Sequence, residues 1–557
     1  MSKGQYVIGV DFGTDSARAL VIDGHSGVVA GEAQQVYRRW TEGKYQDPDK
    51  SMYRQHPLDY IEALESAVCR ALDAAGENVR KNVVGISVDT TGSTPCPVNR
   101  EGVPLALLDE FSENVNAMFH LWKDHTAVAE AVEISKAFSD YNGTDYTRYQ
   151  GTYSSEWYWA KILHTSRTDR DVREAAWSWV EHCDWITGLL TGNLVPEKMY
   201  RCSCAAGHKA LWHSAWGGLP SVDCLSGIDP YLGRVAETFG TNVRPADHPA
   251  GRITPEWARR LGVPEGTIVG GTSLDAHAGA VGAGIKKNVL VTNVGTSTVD
   301  MLIEHAGVLE GKNLKHACGM AENSIVPGYV GIEAGQAAFG DIFAWFRKLL
   351  MWPVSNMGLV DEKTARAIGD RLIEALTEEA RLLDDESALT ALDWFNGRRY
   401  PNTNEYVTAA ITGLTLGTTA PQIFKALANA AVFGLKRIVD SFRNEGLRID
   451  EVIAVGGIAQ KSPYIMQMTA DVLGCRVNVS ATTQACARGA AIYAAVSAGL
   501  YDTIEEAQEH LCEGYTRSYD PDPVKKDAYE KLYAKYCALA EFVERNTGRS
   551  KDGGGRG

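Results

Sequence analysis

Val7-Ile8-Gly9-Val10-Asp11-Phe12-Gly13-Thr14-Asp15-Ser16 is the stretch that decides how this chain folds. It reads as a buried strand, a tight turn at Gly13 and the start of a second strand. Glycine permits a tight turn and lets backbone N–H groups come close to a ligand. The hydroxyls of Thr14 and Ser16 can hydrogen-bond anionic oxygens. Asp11 ends the first strand, where its carboxylate can hold a cation beside those oxygens.

A second glycine turn of this kind lies far downstream, in Val291-Thr292-Asn293-Val294-Gly295-Thr296-Ser297-Thr298. Either turn alone is compatible with an ordinary β-hairpin. A third element, 452–463, reads as a strand, a double-glycine turn and a helix running to about Leu473, where a nucleoside can lie against bare backbone. The three elements in this order predict a nucleotide triphosphate gripped from two sides. The chain has no GxxxxGK[ST] sequence, so the predicted phosphate grip is not a Walker A loop.

The size and charge of the chain narrow the functional classes. At 557 residues it is too long for one core and is predicted to hold two or three domains. Its net charge of −15 argues against nucleic acid or an anionic membrane as the main partner. We find no secretory signal and no apolar run approaching the ~18–20 residues of a membrane span. The 11 scattered cysteines favour a reducing compartment, the cytoplasm.

Alternating strand and helix signals predict a mixed α/β fold. Helical periodicity covers 57–74, and 83–89 reads as a buried strand. Further along, helices are predicted over about 421–442 and, with small residues that permit close packing, over 488–495. The charged, helical segment 354–390 is predicted to be an insertion or a cap. Strands and helices in both halves indicate layered α/β structure.

Cys202, Cys204, His208 and His213 are the closest group of metal-ligating residue types. Their spacing matches no common zinc template. We therefore prefer a loop with small buried thiols, and a zinc-binding module is the alternative.

Taken together, these residues resemble the FGGY carbohydrate kinases of the actin/hexokinase/heat-shock-chaperone ATPase superfamily. The resemblance runs from Tyr6 to about Ala498, and the three glycine elements match two phosphate motifs and an adenosine motif. Two further stretches, Ala206-Gly207-His208-Lys209 and 392–399, are similar to the family members that phosphorylate L-ribulose.

The resemblance implies an α/β fold of two ribonuclease-H-like domains, of the actin/hexokinase type, flanking an active-site cleft. An N-terminal domain over 1–284 is expected to bind the sugar and carry the first phosphate loop. A C-terminal domain over 285–545 is expected to bind ATP, and 546–557 is predicted to be a disordered tail.

The activity implied is ATP-dependent phosphorylation of L-ribulose to L-ribulose 5-phosphate in L-arabinose degradation, with ATP and Mg²⁺. Another ketopentose or polyol, such as D-ribulose, xylulose or ribitol, is the alternative substrate. A non-catalytic nucleotide-binding protein of the actin or chaperone type is the alternative class. Family analogy also implies a homodimer.

Individual roles also follow from the resemblance. Asp275, in 271–277, is implied to be the general base, and a helix N-cap is its alternative role. His277 has side-chain chemistry suited to a base, but we interpret it as a packing residue. Sugar contacts are implied for Cys96, Lys209, Asp275 and Glu333, with a cysteine at 96 where relatives carry alanine.

The remaining implied contacts belong to the nucleotide and its cation. Asp11 is implied to hold Mg²⁺, directly or through water. Arg18 is implied to contact phosphate, and a surface pair with Asp15 is its alternative role. The full set of nucleotide-contacting residues implied is Gly13, Thr14, Asp15, Arg18, Gly295, Thr296, Gly340, Gly456, Gly457 and Lys461.

Overall fold

A computed structural model describes residues 4–384 and 389–547 of the chain. The tail predicted to be disordered from residue 546 starts too early, because Asn546 and Thr547 are the last residues of the helix Lys526–Thr547. The rest of that predicted tail, 548–557, lies outside the described residues.

The first of two seven-stranded sheets is built around the strand that leads into the first glycine turn. Tyr6–Phe12 pairs antiparallel with Ser16–Asp23, which pairs antiparallel with Val29–Val36. On its other side Tyr6–Phe12 runs parallel to Val83–Thr90. The sheet is completed by three short strands, Gly251–Arg252, Ile268–Val269 and Ser273–Leu274.

The second sheet repeats this arrangement. Val289–Val294 pairs antiparallel with Thr298–Glu304, which pairs antiparallel with Val330–Ala334. On its other side Val289–Val294 runs parallel to Glu451–Val455. The remaining strands are Gly319–Glu322, Arg476–Ser480 and Tyr515–Tyr519. Because the same hairpin with parallel neighbours occurs twice, the predicted α/β class with two such domains is confirmed.

Helices pack on these sheets, and those predicted over 57–74, 421–442 and 488–495 are confirmed with slightly wider bounds. The described helices of eight or more residues are Pro57–Ala75, Val128–Phe138, Tyr158–Thr168, His182–Thr191, Ser203–Ala210, Pro230–Thr238, Asp275–Gly282, Gly340–Asn356, Glu362–Arg381, Ala420–Asn444, Pro463–Leu473, Ala485–Ser497, Ile504–Leu511 and Lys526–Thr547. Shorter α-helices are Arg38–Thr41, Glu77–Arg80, Arg170–Ala175, Val222–Ile228, Pro255–Leu261, Ala306–Leu309 and Gly457–Lys461. Short strands outside the two sheets are Gln46–Asp47, Met52–Gln55, Pro95–Val98, Phe119–His120, Ser178–Glu181, Arg201–Cys202, Val243–Arg244, Thr390–Ala391 and Ile411–Thr412.

The side chains of the strand Tyr6–Phe12 point alternately to the two faces of the first sheet, and they therefore contribute to two separate apolar clusters. Ile8 and Val10 point to one face and pack with the helix Pro57–Ala75. Val7 points to the other face and packs with residues of Ala485–Ser497. Successive side chains of a strand face opposite sides, so this sheet is covered by one helix from its own half and one from the second.

Two helices rich in small residues cross where the halves meet. Ala485–Ser497 lies in sequence between two strands of the second sheet, Arg476–Ser480 and Tyr515–Tyr519, but packs against Asp275–Gly282. A Cβ on Gly489 would lie 1.8 Å from the carbonyl oxygen of Ala278. Only glycine, which has no Cβ, allows so close an approach. The crossing therefore sets the position of the helix that begins at Asp275.

We expect Gly489→Ala to destabilise the protein by about 1–3 kcal/mol, because the added methyl overpacks this crossing. Gly227→Ala is the matched control, since Gly227 also lies in a helix but a Cβ there would meet nothing within 4 Å. Thermal unfolding should show a lower melting temperature for the first variant and an unchanged or higher one for the second. Equal melting temperatures for Gly489→Ala and the wild type would contradict this close packing.

Across residues 4–384 and 389–547, none of the helices combines the length and apolarity needed to cross a bilayer.

Candidate active site between the two halves

Two parallel strand ends bring Asp11 and Asp89 side by side in the first half. Arg18, which faces Asp11 across the hairpin, donates a hydrogen bond to Oδ2 of Asp11 at 2.9 Å. Asp89 is fully buried, and neither of its carboxylate oxygens has a hydrogen-bond partner. The edge of the sheet thus places two carboxyl groups beside the first glycine turn, and burial, followed by repulsion from Asp11, raises the pKa of Asp89 well above its usual range.

The alternative pairing of Arg18 with Asp15 is not formed. Asp15 instead accepts a hydrogen bond from the indole N–H of Trp40 at 2.7 Å, and its side chain is exposed. Thr14 accepts a hydrogen bond from the indole N–H of Trp122 at 3.0 Å. Hydrogen bonds from the indole groups of two tryptophans therefore hold the side chains of Thr14 and Asp15 in the first glycine turn.

The second glycine turn and the double-glycine turn lie against each other. Gly456 has φ +99, and a Cβ on it would lie 2.7 Å from the carbonyl oxygen of Val294. In contrast, a Cβ on Gly457 would meet nothing within 4 Å, and one on Gly295 only a carbonyl oxygen at 3.9 Å. Close backbone packing therefore requires glycine at position 456, whereas Gly457 and Gly295 border open space that a ligand can approach.

The helix Gly340–Asn356 begins directly on the second glycine turn. The N–H of Gly340 donates to the carbonyl oxygen of Gly295 at 3.1 Å, and the N–H of Phe339 donates to that of Thr296 at 2.8 Å. The predicted nucleotide contacts Gly295, Thr296, Gly340 and Gly456 are thus brought together. The Lys461 side chain is exposed at the end of Gly457–Lys461.

Asp275 is the first residue of its helix, and the N-cap is Leu274, so its alternative role as N-cap is wrong. Its Oδ1 accepts a hydrogen bond from the N–H of Ala276 at 2.7 Å. Burial, followed by repulsion from Asp11, raises the pKa of Asp275 to about 7. A carboxyl group with such a pKa can accept a proton efficiently near neutral pH.

A second charged cluster joins the two halves. Glu333 lies on a strand of the second sheet, and Nζ of Lys209 lies 3.7 Å from its Oε1. His277, on the helix of Asp275, places Nε2 3.1 Å from Oε2 of Glu333. Burial raises the pKa of Glu333, but Lys209 and His277 outweigh it and hold that pKa well below its usual range.

The interpretation of His277 as a packing residue is therefore incomplete. Burial lowers the pKa of His277, but its contacts with Cys204 and Glu333 outweigh this effect and raise it to about 9. Its imidazole is charged at neutral pH and forms part of the ion cluster around Glu333.

Cys96 lies apart from these groups. Its side chain is fully buried in the apolar core of the first half, and its thiol donates to the carbonyl oxygens of Pro97 and Ala117 at 3.5 and 3.6 Å. The implied sugar contact of Cys96 stays a prediction.

The four residues considered for zinc do not come together. Cys204 and His208 do have donor atoms within 4.8 Å of each other, but the third member of their group is His277, and neither Cys202 nor His213 belongs to it. His213 stacks on Tyr149 at 3.8 Å. Cys204 and His208 lie on the helix Ser203–Ala210, so the predicted loop is also wrong.

The stretch 392–399 anchors the C-terminal helix. Asp393 accepts hydrogen bonds from the hydroxyl of Tyr536 at 2.7 Å and from the side-chain amide of Gln336 at 2.9 Å. Arg398 pairs with Glu544 on the same helix. The motif thus ties Lys526–Thr547 to the segment that precedes Gly340.

Sequence reasoning missed Asp89 as a site residue. A signal was available, because Asp89 ends a buried strand just as Asp11 does, and parallel strands end at the same edge of a sheet. His277 offered no comparable signal, since its partner Glu333 lies in the other half of the chain.

The fold and this arrangement define a two-domain sugar kinase of the actin/hexokinase type. The FGGY family of carbohydrate kinases, C-terminal domain, matches residues 290–498. A solved xylulose kinase from Rhodospirillum rubrum superposes with a TM-score of 0.79 at 21% identity, covering 98% of this chain and 100% of that chain. Glycerol kinase from Plasmodium falciparum, solved with ADP, gives a TM-score of 0.75 at 15% identity, covering 97% of this chain and 98% of that chain. At these identities the two likenesses speak for the fold alone.

Two other relatives share a larger fraction of identical residues with this chain. The chain is 44% identical to ribulokinase from Vibrio parahaemolyticus, over 97% of this chain and 96% of that protein. It is 36% identical to ribulokinase from Halalkalibacterium halodurans, over 97% of this chain and 95% of that protein. The chain belongs to the ribulokinases of the FGGY carbohydrate kinase family.

Proposed function

We propose that this protein transfers the γ-phosphoryl group of ATP to the 5-hydroxyl of L-ribulose, a step of L-arabinose degradation. One observation carries the proposal: Asp275 directly follows the strand Ser273–Leu274, which pairs with the strand end at Asp89 beside Asp11, and the helix that it begins carries His277, which pairs with Glu333. A proton acceptor thus stands between a predicted phosphate site and a charged pair suited to sugar hydroxyls.

Asp275 is proposed to accept the proton of the attacking hydroxyl. The hydroxyl must be held in line with the γ-phosphoryl group, and the protein contributes mainly position and charge. Lys209 donates and Glu333 accepts hydrogen bonds, a combination that orients adjacent hydroxyls. Lys209 is buried and Glu333 is partly buried, which restricts the orientations of both side chains.

The first and second glycine turns are proposed to bind the ATP phosphates, and the double-glycine turn the adenosine. The open space beside Gly295 and Gly457 supports this assignment. The carboxylates at Asp11 and Asp89 fit a divalent cation, since Asp89 is buried with both oxygens unpartnered. Asp11 is proposed to hold Mg²⁺, which neutralises phosphate charge when bound.

The domain division is proposed at residue 284, with 1–284 binding the sugar and 285–545 binding ATP. The strands of the first sheet end at Leu274 and those of the second begin at Val289, which supports this division.

A homodimer in the cytoplasm is also proposed. All 11 cysteines are free, which fits a reducing compartment.

The helix Gly340–Asn356 offers a surface for the second copy of the dimer. It carries three exposed apolar side chains, those of Trp345, Leu349 and Trp352. Light scattering in solution should give twice the chain mass, and a monomer mass would contradict the dimer.

A coupled ADP-release assay tests the proposed activity. ATP with Mg²⁺ is offered with L-ribulose, D-ribulose, xylulose, ribitol and glycerol, and kcat/KM is measured for each. We expect the highest kcat/KM for L-ribulose. A higher value for any of the others would contradict the assigned substrate. Turnover of none of them, with ATP still bound, would contradict the sugar-kinase function and favour a nucleotide-binding role.

A further inference from the structure

A short segment, 336–340, lies alongside the second glycine turn and is hydrogen-bonded to it at both ends. The N–H of Thr298 donates to the carbonyl oxygen of Gln336 at 3.1 Å, and the N–H of Gln336 donates to Oγ1 of Thr298 at 2.9 Å. At the other end of the segment, Phe339 and Gly340 donate their N–H groups to carbonyl oxygens of the same turn. The position of this segment therefore sets the position of the turn that is proposed to bind the ATP phosphates.

The side chain of Gln336 ties this segment to other parts of the second half. It is buried, and its Nε2 donates to Oδ2 of Asp393 and to the carbonyl oxygen of Ala431, both at 2.9 Å. Its Oε1 has no hydrogen-bond partner within residues 4–384 and 389–547. The two donated hydrogen bonds therefore orient the amide group, and one of them ends on the carboxylate of Asp393.

Asp393 is held in turn by the C-terminal helix Lys526–Thr547. Its Oδ1 accepts a hydrogen bond from the hydroxyl of Tyr536 at 2.7 Å, and both side chains are buried. Gly434 leaves the space for this arrangement, because a Cβ there would overlap Nε2 of Gln336 and Oδ2 of Asp393. A carboxylate has two oxygens that accept hydrogen bonds, so Asp393 can bond Tyr536 and Gln336 at the same time.

We propose that Asp393 is a positioning residue for ATP: through Gln336 it holds the second glycine turn in the place where the phosphates bind. Asp393 acts on the nucleotide through Gln336 and not by contact, and this role rests on the proposed function of the turn in ATP binding. An anchor for the C-terminal helix is the alternative role of Asp393. That alternative predicts a loss of stability without a specific loss of nucleotide affinity.

The test is binding of the non-hydrolysable ATP analogue AMP-PNP with Mg²⁺ to the full chain, measured by isothermal titration calorimetry. Asp393→Leu has a side chain of similar size that accepts no hydrogen bond, and we expect it to weaken the affinity by about tenfold, as for the loss of a hydrogen bond to a charged group. Gln336→Met removes the other partner of this bond and should weaken the affinity by a similar factor. The double variant should be no weaker than either single variant, because both changes break the same bond.

Arg398→Met is the matched control. Arg398 lies in the same stretch as Asp393 and pairs with Glu544 of the same C-terminal helix, but it has no hydrogen bond to Gln336 in the described part of the chain. Glu544 keeps Arg437 as a partner at 3.1 Å. We expect Arg398→Met to change the affinity for AMP-PNP by less than about twofold, since it shares no partner with the bond under test. Circular dichroism verifies that each variant is folded.

Two results would overturn the positioning role: wild-type affinity for AMP-PNP in Asp393→Leu, or an equal loss of affinity in Arg398→Met. Hydrogen–deuterium exchange of the wild type gives an answer that does not depend on the folding of a variant. Binding of AMP-PNP should slow exchange at 336–340 and also at the N–H of Phe395, which donates to the carbonyl oxygen of Asp393. Protection that does not extend to Phe395 would overturn the proposal.

Turnover of L-ribulose, measured on the same wild-type preparation, separates this role from the proposed function. An inactive wild type that still binds AMP-PNP would contradict the proposed activity, and the comparison of variants would still decide the role of Asp393. A wild type that does not bind AMP-PNP would overturn both. Normal turnover with wild-type affinity for AMP-PNP in Asp393→Leu would overturn the positioning role alone.

Discussion

Asp275→Asn should lower kcat for sugar phosphorylation by about 10²–10⁴-fold, the usual contribution of a positioned general base. The amide keeps the size of the side chain and can still accept the hydrogen bond from Ala276. It cannot accept the proton of the attacking hydroxyl. Steady-state ADP release with saturating ATP and L-ribulose measures the loss, and an unchanged kcat would rule out Asp275 as the base.

The pH profile gives an independent readout of the same group. Since a base acts in its ionised form and the pKa of Asp275 is raised to about 7, kcat/KM of the wild type should fall as the pH drops below about 7. This acidic limb should disappear from the residual activity of Asp275→Asn.

Stability provides the control for the Asp275 variant. The folded-state pKa of Asp275 lies above the ordinary value near 3.8, so ionising this group in the folded protein opposes folding once the pH exceeds that ordinary value. This cost is fully present above pH 7 and is absent in Asp275→Asn. At pH 8 the variant should therefore unfold at the same temperature as the wild type or higher, and a lower one would point to structural damage.

Lys209→Met should raise KM for L-ribulose by about 10-fold or more, because a hydrogen bond from a charged donor contributes about 1.5–3 kcal/mol. Lys209 is buried and lies 3.7 Å from Glu333, which would be left with His277 as its cationic partner in the described part of the chain. Methionine preserves the apolar stem of the side chain. Its effect should therefore come from the lost charge and its hydrogen bonds.

The control for this prediction is Lys286→Met. Lys286 pairs with Glu451 at 3.2 Å, but its side chain is 62% exposed, and exposed pairs contribute at most about 1 kcal/mol. KM for ATP should change little in either variant. Equal increases in KM for sugar and ATP in Lys209→Met would contradict a specific sugar contact.

Local patterns in the sequence predicted most of the elements. Apolar runs that end in glycine turns identified both hairpins, and helical periodicity identified Pro57–Ala75 and Ala420–Asn444. The helix running to Leu473 is instead two helices. Ser462 caps the second, where its side chain accepts from the N–H of Ile465, and proline occupies the next position. Serine followed by proline is a helix-start signal, so this break was readable from the sequence.

The site required more than local patterns. Glycine and carboxylate positions indicated where phosphate and cation could bind, and the resemblance supplied Lys209, Asp275 and Glu333. The contacts that surround these groups depend on tertiary packing, and the sequence patterns did not indicate them. The indole of Trp122 at Thr14, the imidazole of His277 at Glu333 and the enclosure of the Cys96 thiol all join segments far apart in sequence.

The sequence by itself determined the two hairpins, the class of fold and the kind of chemistry, because these depend on residues adjacent along the chain. Only the tertiary structure decided that Glu333 meets Lys209 and His277. Those contacts depend on which strands pair and on how closely glycine lets the helices of the two halves approach. Such choices are set by the packing of the whole chain and not by any one segment of it.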